Sequence, residues 1–387
     1  MREAIHNLEA SKIREVANAG MGRDDVLAFW FGESDEVTPE VVRQAAIESL
    51  QRGETFYAHN LGLPELREAI ARYTSALHPA VDASRIAVTS GGVSALMLAV
   101  QALVDAGDEV VAVTPVWPNL TAQPAIMGAH VRTLPLVPVN GQWTLDLPAL
   151  RAAVTSKTKL LIVNAPNNPT GWTMSRDEQQ AMLDHCRQTG TWILADEVYE
   201  RLYFEPTHNA CAPSFLDISK PDDRLVVTHS FSKSFLMTGW RLGWLVAPPR
   251  AVPALEKLAQ NLYISAPSMA QHAALACFTP EATAIFEQRR GEFQARRDYL
   301  LPALRALGFR IAVEPQGAFY LYADISEFGI DAQAFCRHFL ETEHVAFTPG
   351  IDFGTHQAER HVRIAYTQAL PRLQEAVARI ERGLGRL

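Results

Sequence analysis

Four short runs in this chain, TKLLIVNAP, TWILADE, RLVVTHS and GWLVAPP, are apolar without the alternation that a half-solvated strand shows. A strand patterned in this way must be covered on both faces, which is the situation of a mostly parallel sheet between helical layers. The cover is present in the sequence. SALMLAVQALVDAG and RDEQQAMLDHCRQTG carry helical spacing and lie between strand-like runs, the first closed by Gly107. IAVTS, GDEVVAVTP and HVRTLPLVP extend the alternation towards the N-terminus. The pattern predicts an α/β fold: a large domain at residues 46–285 with a mostly parallel central sheet flanked by helices. The last hundred residues read differently. RRGEFQARRDYLLPALRALG is a long charged helix, followed by FRIAVEP, GAFYLYADIS, VAFTPG and HVRIAYT and a terminal helix PRLQEAVARIERGL. They predict a smaller α+β domain at 286–387, with an N-terminal segment, 1–45, packing with it.

Charge narrows the classes of partner. The 387 residues include 35 basic and 43 acidic side chains, a formal charge of −8. General nucleic-acid binding draws its affinity from Lys and Arg on phosphates, so an acidic chain argues against it. A local anion site needs only a few residues and remains open. Cys186, Cys211, Cys277 and Cys336 form no CxxC pair, which argues for reduced thiols over a disulfide framework or a zinc knuckle. The opening MREAIHNLEASKIREV has no apolar stretch of a signal peptide, and no run reaches the roughly 20 apolar residues of a membrane helix. A cytoplasmic protein with no membrane partner is expected. The twelve histidines include no HExxH spacing, and His356 and His361 lack flanking ligands, so no metal site is expected.

In open α/β sheets functional groups collect beyond the carboxyl ends of strands. TWILADE ends in Asp196 and Glu197, with Tyr199 following. RLVVTHS ends in Ser230, Phe231, Ser232 and Lys233, with Arg241 eight residues on. IAVTS runs through Ser90, Gly91 and Gly92 into a helix, where glycine lets the backbone approach an anion and the first helical turn attracts it. That spacing fits neither a GxGxxG nor a Walker loop. LLIVNAP continues into Asn164-Ala165-Pro166-Asn167-Asn168-Pro169-Thr170-Gly171. Each cluster alone reads as a polar turn; all four belong to one expected sheet.

FYAHNLGLPELREAI, the SGG turn before a helix, NAPNNPTG, DEVY, SFSKSFLMTGWRLGW and HVRIAYT occur in this order, in a stretch of about residues 27 to 366. In this set the chain resembles the class I/II aminotransferases, fold-type I enzymes dependent on pyridoxal 5'-phosphate. The resemblance implies that Lys233 forms the imine with the cofactor aldehyde and then carries the proton, and that Asp196 pairs with the pyridine nitrogen. It implies hydrogen bonds from Asn168 and Tyr199 to the ring oxygen, and a phosphate cup of Gly91, Gly92, Val93, Ser230, Ser232 and Arg241. Trp117 would stack on the cofactor face. Tyr57 would reach the phosphate of a neighbouring subunit, which implies a homodimer with shared active sites. Arg363 would grip the substrate α-carboxylate, with the backbone of Gly32 beside it.

The implied reaction moves an amino group from an L-amino acid to a 2-oxo acid, commonly 2-oxoglutarate in the family, by ping-pong kinetics. The same lysine and aspartate serve a C–S β-lyase, the nearest alternative. A non-catalytic ligand sensor is a third reading, against which the intact Lys233, Asp196 and Arg363 argue; an added winged helix finds no room before the expected fold. Some members that take acidic substrates carry a lysine after the paired glycines, where this chain has Val93. Trp30, Trp117 and Tyr57 point instead to neutral, aromatic or sulfur-containing donors.

Overall fold

The apolar runs assemble side by side. In the structure, a computed structural model that describes residues 1–8, 10–23, 25–207 and 209–387, the main sheet has eight strands among the described residues. Their order in space is Ile86–Thr89, Gly243–Val246, Leu225–Ser230, Trp192–Asp196, Thr158–Asn164, Glu109–Thr114, His130–Val139 and Gln142–Leu145. The five from Leu225–Ser230 to His130–Val139 are parallel. Gly243–Val246 runs antiparallel to both its neighbours. Its first residue therefore lies at the rim where the parallel strands end.

Side chains alternate across the sheet into two cores, as a period of two requires. Val111, Val113, Leu161, Val163, Ile193 and Val227 enter one. Val110, Ala112, Leu160, Ile162, Leu194 and Val226 enter the other. Each such residue is fully or nearly fully buried, and burying each Val, Leu or Ile among them contributes roughly 1.5–3 kcal/mol. The helix Gly92–Leu103 covers the second face with Leu96, Leu98 and Ala99. The helix Arg176–Thr189 covers the first with Met182, Leu183 and Cys186; Ser175 and Glu178 form its capping box and Gly190, at φ +76°, ends it. The edge strand Gln142–Leu145 was not among the expected strands. It returns through Asn140-Gly141, with φ +50° and +77°, the pair of left-handed residues that a two-residue hairpin demands.

A second sheet, antiparallel, places His361–Ala365 between Tyr320–Asp324 and Thr348–Pro349. The helices Pro280–Ala306, Ala332–Thr342 and Leu370–Leu384 enclose it around Phe293, Phe335, Phe339 and Leu373. Residue 285, where the large domain was expected to end, lies within the first of these helices. FRIAVEP, expected as a strand, makes only an isolated bridge, Arg310 with Asp324. At the N-terminus, Leu27–Ala28 pairs in parallel with Val345–Ala346. The Asp352 carboxylate accepts hydrogen bonds from Ser11 Oγ (2.9 Å) and from the Lys12 and Ile13 backbone N–H groups (2.7 and 2.6 Å), so the start of the helix Lys12–Gly20 is pinned to this smaller unit. The four cysteines are buried and unpaired with one another. No described helix is long and apolar enough to cross a membrane.

Gly243 leaves no room for a side chain. A Cβ there would lie 2.7 Å from both the Gly91 carbonyl carbon and the Gly92 nitrogen, and 2.8 Å from the His229 carbonyl oxygen. All three are backbone atoms in the turn and strand that form the rim. Gly243→Ala is expected to lower stability by roughly 1–3 kcal/mol, read as an earlier midpoint in urea unfolding; an unchanged midpoint would contradict this packing.

Candidate active site

The strand ends and the small sheet converge on a cavity of about 510 Å³. Gly32, Gly92, Val93, Trp117, Asn168, Asp196, Tyr199, Ser230, Ser232, Lys233, Arg241 and Arg363 all line it. Gly91 lies directly behind, against Arg241. Tyr57 stands apart, 83% exposed and outside the cavity wall.

One end of the cavity is an anion cradle. The strand Ile86–Thr89 passes through Ser90 and Gly91, at φ +98°, into the helix Gly92–Leu103, whose first N–H groups and dipole attract negative charge. A Cβ on Gly91 would sit 2.4 Å from Arg241 Nη2, and one on Gly92 would sit 3.0 Å from Ser230 Cβ. Only glycines allow the guanidinium and the serine to close on this turn. Arg241 Nη1 donates to the Thr238 carbonyl at 2.6 Å, and the Ser232 N–H donates to Ser230 Oγ at 3.1 Å, which sets these groups in place.

At the centre, Lys233 Nζ donates to the Gly32 carbonyl at 2.5 Å. Burial pushes its amine down to about 8; Glu33 opposes the shift, while Arg363 and Arg241 reinforce it. Asp196, on the last residue of its strand, is buried with the Thr228 hydroxyl at 3.5 Å. Burial pushes this carboxyl up to about 7, against the Val198 N–H and the Thr228 hydroxyl. A carboxylate in this condition lacks a cationic partner, and a protonated ring nitrogen would supply one. With the anion cradle at the other end and an amine between them, the residues fit the phosphate, the aldehyde and the ring nitrogen of pyridoxal phosphate.

Arg363 forms the opposite wall. It is 2% exposed and its guanidinium lies between the Tyr320 ring (4.7 Å) and the Phe353 ring (4.9 Å). Nη1 donates to Asn168 Oδ1 at 3.0 Å and Nη2 to the Trp30 carbonyl, while Nε has no hydrogen-bond partner among the described residues. A buried guanidinium with an unused donor is suited to a carboxylate. Gly32 was expected beside that carboxylate. It lines the same cavity as Arg363; its carbonyl accepts from Lys233, and the neighbouring Trp30 carbonyl accepts from Arg363.

Several residues that hold this arrangement escaped the sequence reading. Asn164 Oδ1 accepts from the Asn168 N–H at 2.8 Å and its amide donates to the Asp196 carbonyl at 2.9 Å, so one side chain ties two motifs together. Asn167 Oδ1 accepts from the Thr170 N–H and hydroxyl, closing the loop on itself. Tyr320 hydrogen-bonds Tyr199 between hydroxyls at 2.8 Å. The run GAFYLYADIS signalled a strand, but nothing in it signalled that partner.

Behind Asp196 lies a buried ionic cluster that the histidine search had no motif to find. His78 Nδ1 meets Asp217 at 2.8 Å and Nε2 meets Glu200 at 3.2 Å; the two carboxylates hold the imidazolium well above the ordinary histidine range. Glu197 accepts from Ser214 Oγ at 2.5 Å and the Phe215 N–H at 2.9 Å. The sets His78, Glu200, Cys211 and Glu197, Glu200, His229 each bring three potential metal-ligating atoms within 4.8 Å. Both nitrogens of His78 are already committed to carboxylates, so ion pairing accounts for its place. The cluster braces the turn from Asp196 to Glu200 from behind.

Comparison with known proteins agrees with this geometry. The family model for aminotransferase class I and II matches residues 25–380. The aspartate/prephenate aminotransferase of Thermus thermophilus is 35% identical, with 94% of this chain and 92% of that protein covered. The aspartate aminotransferase of Pyrococcus horikoshii is 31% identical, covering 99% and 96%. The structure of Thermus thermophilus aspartate aminotransferase with maleate superposes with a TM-score of 0.91 at 32% identity, covering 99% of both chains.

The lowered amine gives a pH test. Below about 8 Lys233 is mostly protonated and unreactive, and above it the free amine saturates. The rate at which the cofactor-free protein takes up pyridoxal phosphate, followed by visible absorbance, is expected to rise about tenfold per pH unit below 8 and then level off. An ordinary lysine would keep gaining to about pH 10.4, and a profile of that shape would refute the assigned environment.

Proposed function

This chain belongs to the class I and II aminotransferases, pyridoxal-phosphate-dependent transaminases, and we propose that the cavity around Lys233 is its active site. The observation that carries the assignment is one amine of lowered pKa between a buried carboxylate and a buried guanidinium. When bound, pyridoxal phosphate supplies an aldehyde and a ring that accepts the electron pair left at the substrate Cα. Asp196 holds a proton on the ring nitrogen. Lys233 Nζ would carry the proton between the substrate Cα and the carbon that the cofactor aldehyde supplies, across the nitrogen that joins them, which needs an amine that is near neutral at working pH. Tyr199, whose phenol burial pushes up, stays protonated and donates to the ring oxygen together with the Asn168 amide. Arg363 grips the α-carboxylate with two N–H groups, and Gly32 keeps Lys233 aimed beside it. Gly91, Gly92 and Val93 offer backbone N–H groups to the phosphate, with Ser230, Ser232 and Arg241 completing the cup. Trp117, on the cavity wall, would stack on the ring. The aromatic wall of Trp30 and Phe31 favours a neutral or aromatic L-amino acid as donor.

We also propose a homodimer, with Tyr57 completing the phosphate cup of the second copy. Phe56 and Tyr57 are 84% and 83% exposed, and Asn60 donates to the Ile264 carbonyl at 2.7 Å, which brings the exposed Leu262 and Ile264 alongside them. An apolar face of this kind suits a permanent subunit contact. Unpaired buried thiols suit a reducing cytoplasm.

Lys233→Ala is expected to lose the visible absorbance of the holoenzyme and at least a hundredfold in kcat, and Asp196→Asn to lose about 10²–10³. Near-normal turnover in Lys233→Ala would overturn the assignment. In a single-turnover screen the holoenzyme should convert an L-amino acid to its 2-oxo acid without releasing ammonia; ammonia and pyruvate from a cysteine conjugate would indicate elimination instead. Light scattering should give twice the chain mass. Tyr57→Ala should bind the cofactor weakly, and coexpression with Lys233→Ala should restore tight binding through hybrid dimers that contain one intact site. A monomer, or no complementation, would exclude shared sites.

A further inference from the structure

Tyr320 stands in the cavity wall without a part in the chemistry above. It is buried at the start of the small-sheet strand Tyr320–Asp324, and it touches three residues that do have a part. Its hydroxyl meets the Tyr199 hydroxyl at 2.8 Å. Its ring lies against the Arg363 guanidinium, 4.7 Å from the ring centroid. Its oxygen closes on Gly32, where any Cβ would collide with it.

Both phenols are fixed in place. The Tyr199 and Tyr320 rings meet nearly edge-on, at 84° and 5.8 Å, and each packs in the same manner on Phe319. The protons then decide which way the pair points. Each phenol has one proton to give. Among the described residues the Tyr320 hydroxyl has Tyr199 as its one hydrogen-bond partner, since the Gly32 carbonyl beside it is taken by Lys233. A buried donor left unused is costly. With Tyr320 giving its proton to Tyr199, the Tyr199 proton is left to point into the cavity; the reverse order would spend it on Tyr320. Arg363 favours the first order. Burial raises both phenols, Tyr199 well above its ordinary value, and the guanidinium counters this most directly at Tyr320, which makes Tyr320 the stronger acid and the natural donor. The other titratable groups around the pair are Asp196 and Lys233 on the cavity side, and Tyr366, whose hydroxyl donates to the Ala318 carbonyl.

We infer that Tyr320 is a positioning residue, which turns the Tyr199 proton towards the ring oxygen of the cofactor and strengthens it as a donor. Hydrogen bonds in a chain polarise one another, so a phenol that accepts a proton on its oxygen gives its own proton more strongly. The ring oxygen is thus served by a relay of two phenols, beside the Asn168 amide. This inference rests on the reading of the cavity as the active site, which it deepens by adding a residue that acts through Tyr199 without touching the cofactor oxygen itself.

The test compares two probes on the cofactor-free full chain: pyridoxal phosphate, and its analogue with hydrogen in place of the ring oxygen. Tyr320→Phe keeps the ring on Arg363 and removes only the hydroxyl. It is expected to weaken pyridoxal phosphate about 3- to 10-fold, the range of one neutral hydrogen bond, and to leave the analogue unchanged. In the holoenzyme, the pH at which the visible band changes should rise by about 0.5–1, because a ring oxygen with a weaker donor keeps more negative charge beside the Lys233 nitrogen. In a Tyr199→Phe background, Tyr320→Phe should change neither quantity further, since the relay has lost its middle member. Equal weakening of both probes, or an undiminished effect in that background, would overturn the role and leave Tyr320 as packing alone. Valerate affinity of the holoenzyme reads Arg363 separately: it should be unchanged in Tyr320→Phe, and a loss would place the effect at the guanidinium instead. A wild-type chain that binds both probes equally would refute the ring-oxygen contacts of the proposed active site. Discrimination that persists in full in Tyr320→Phe would refute Tyr320 alone.

Discussion

The hydrogen bond from Lys233 to the Gly32 carbonyl joins the N-terminal segment to the end of a large-sheet strand at the centre of the cavity, with the Thr238 hydroxyl on Glu33 and Thr38 on the Leu236 carbonyl reinforcing the junction. Lys233 follows a strand of the large sheet, Arg363 lies on the small sheet, and Trp30 to Gly32 come from the N-terminal segment between them. Because Trp30 engages Arg363 and Gly32 engages Lys233, three consecutive residues fix the spacing between the buried amine and the buried guanidinium. The pairing of Leu27–Ala28 with Val345–Ala346 anchors that tripeptide to the smaller unit. The site depends on this strap as much as on either sheet.

Positive charge is concentrated here in a protein that is acidic overall. Lys233, Arg241 and Arg363 share one cavity, and their proximity is part of why the amine stays near neutrality. The net charge of −8 is a sum over the whole chain, and it is silent about a cavity that gathers cations. The ion pairs of His78 with Asp217 and Glu200 work in the same direction from behind, because they hold the turn that carries Asp196 and Tyr199 rigid.

What could be read from the sequence was whatever is encoded within a few residues. NAPNNPTG, DEVY, the SGG turn and SFSK each bring their groups to a strand end by local spacing, and all four reach one cavity. Groups that meet across long separations left no trace of this kind. Tyr199 meets Tyr320 across 121 residues, and His78 meets Glu200 across 122. Asn164 had been noticed only as part of a turn-rich loop, yet it links two motifs. The Gln142–Leu145 strand was a different omission: Asn140-Gly141 is a local hairpin signal, overlooked beside the stronger parallel pattern. FRIAVEP had strand composition, but it touches the edge strand Tyr320–Asp324 only at the Arg310–Asp324 bridge, so tertiary context decided against a full pairing.

The contact between Gly32 and Tyr320 carries a consequence for how such a site can diverge. A Cβ on residue 32 would fall 1.8 Å from the Tyr320 hydroxyl, inside the space that oxygen already occupies. The same hydroxyl bonds Tyr199, and the same ring stacks on Arg363. Residues 32 and 320 therefore form one heritable unit: a side chain at the first is admissible only if the second retreats, and its retreat disturbs the neighbours on both sides. The dependence runs one way: position 320 can change while 32 stays glycine, but 32 can gain a side chain only after 320 has changed.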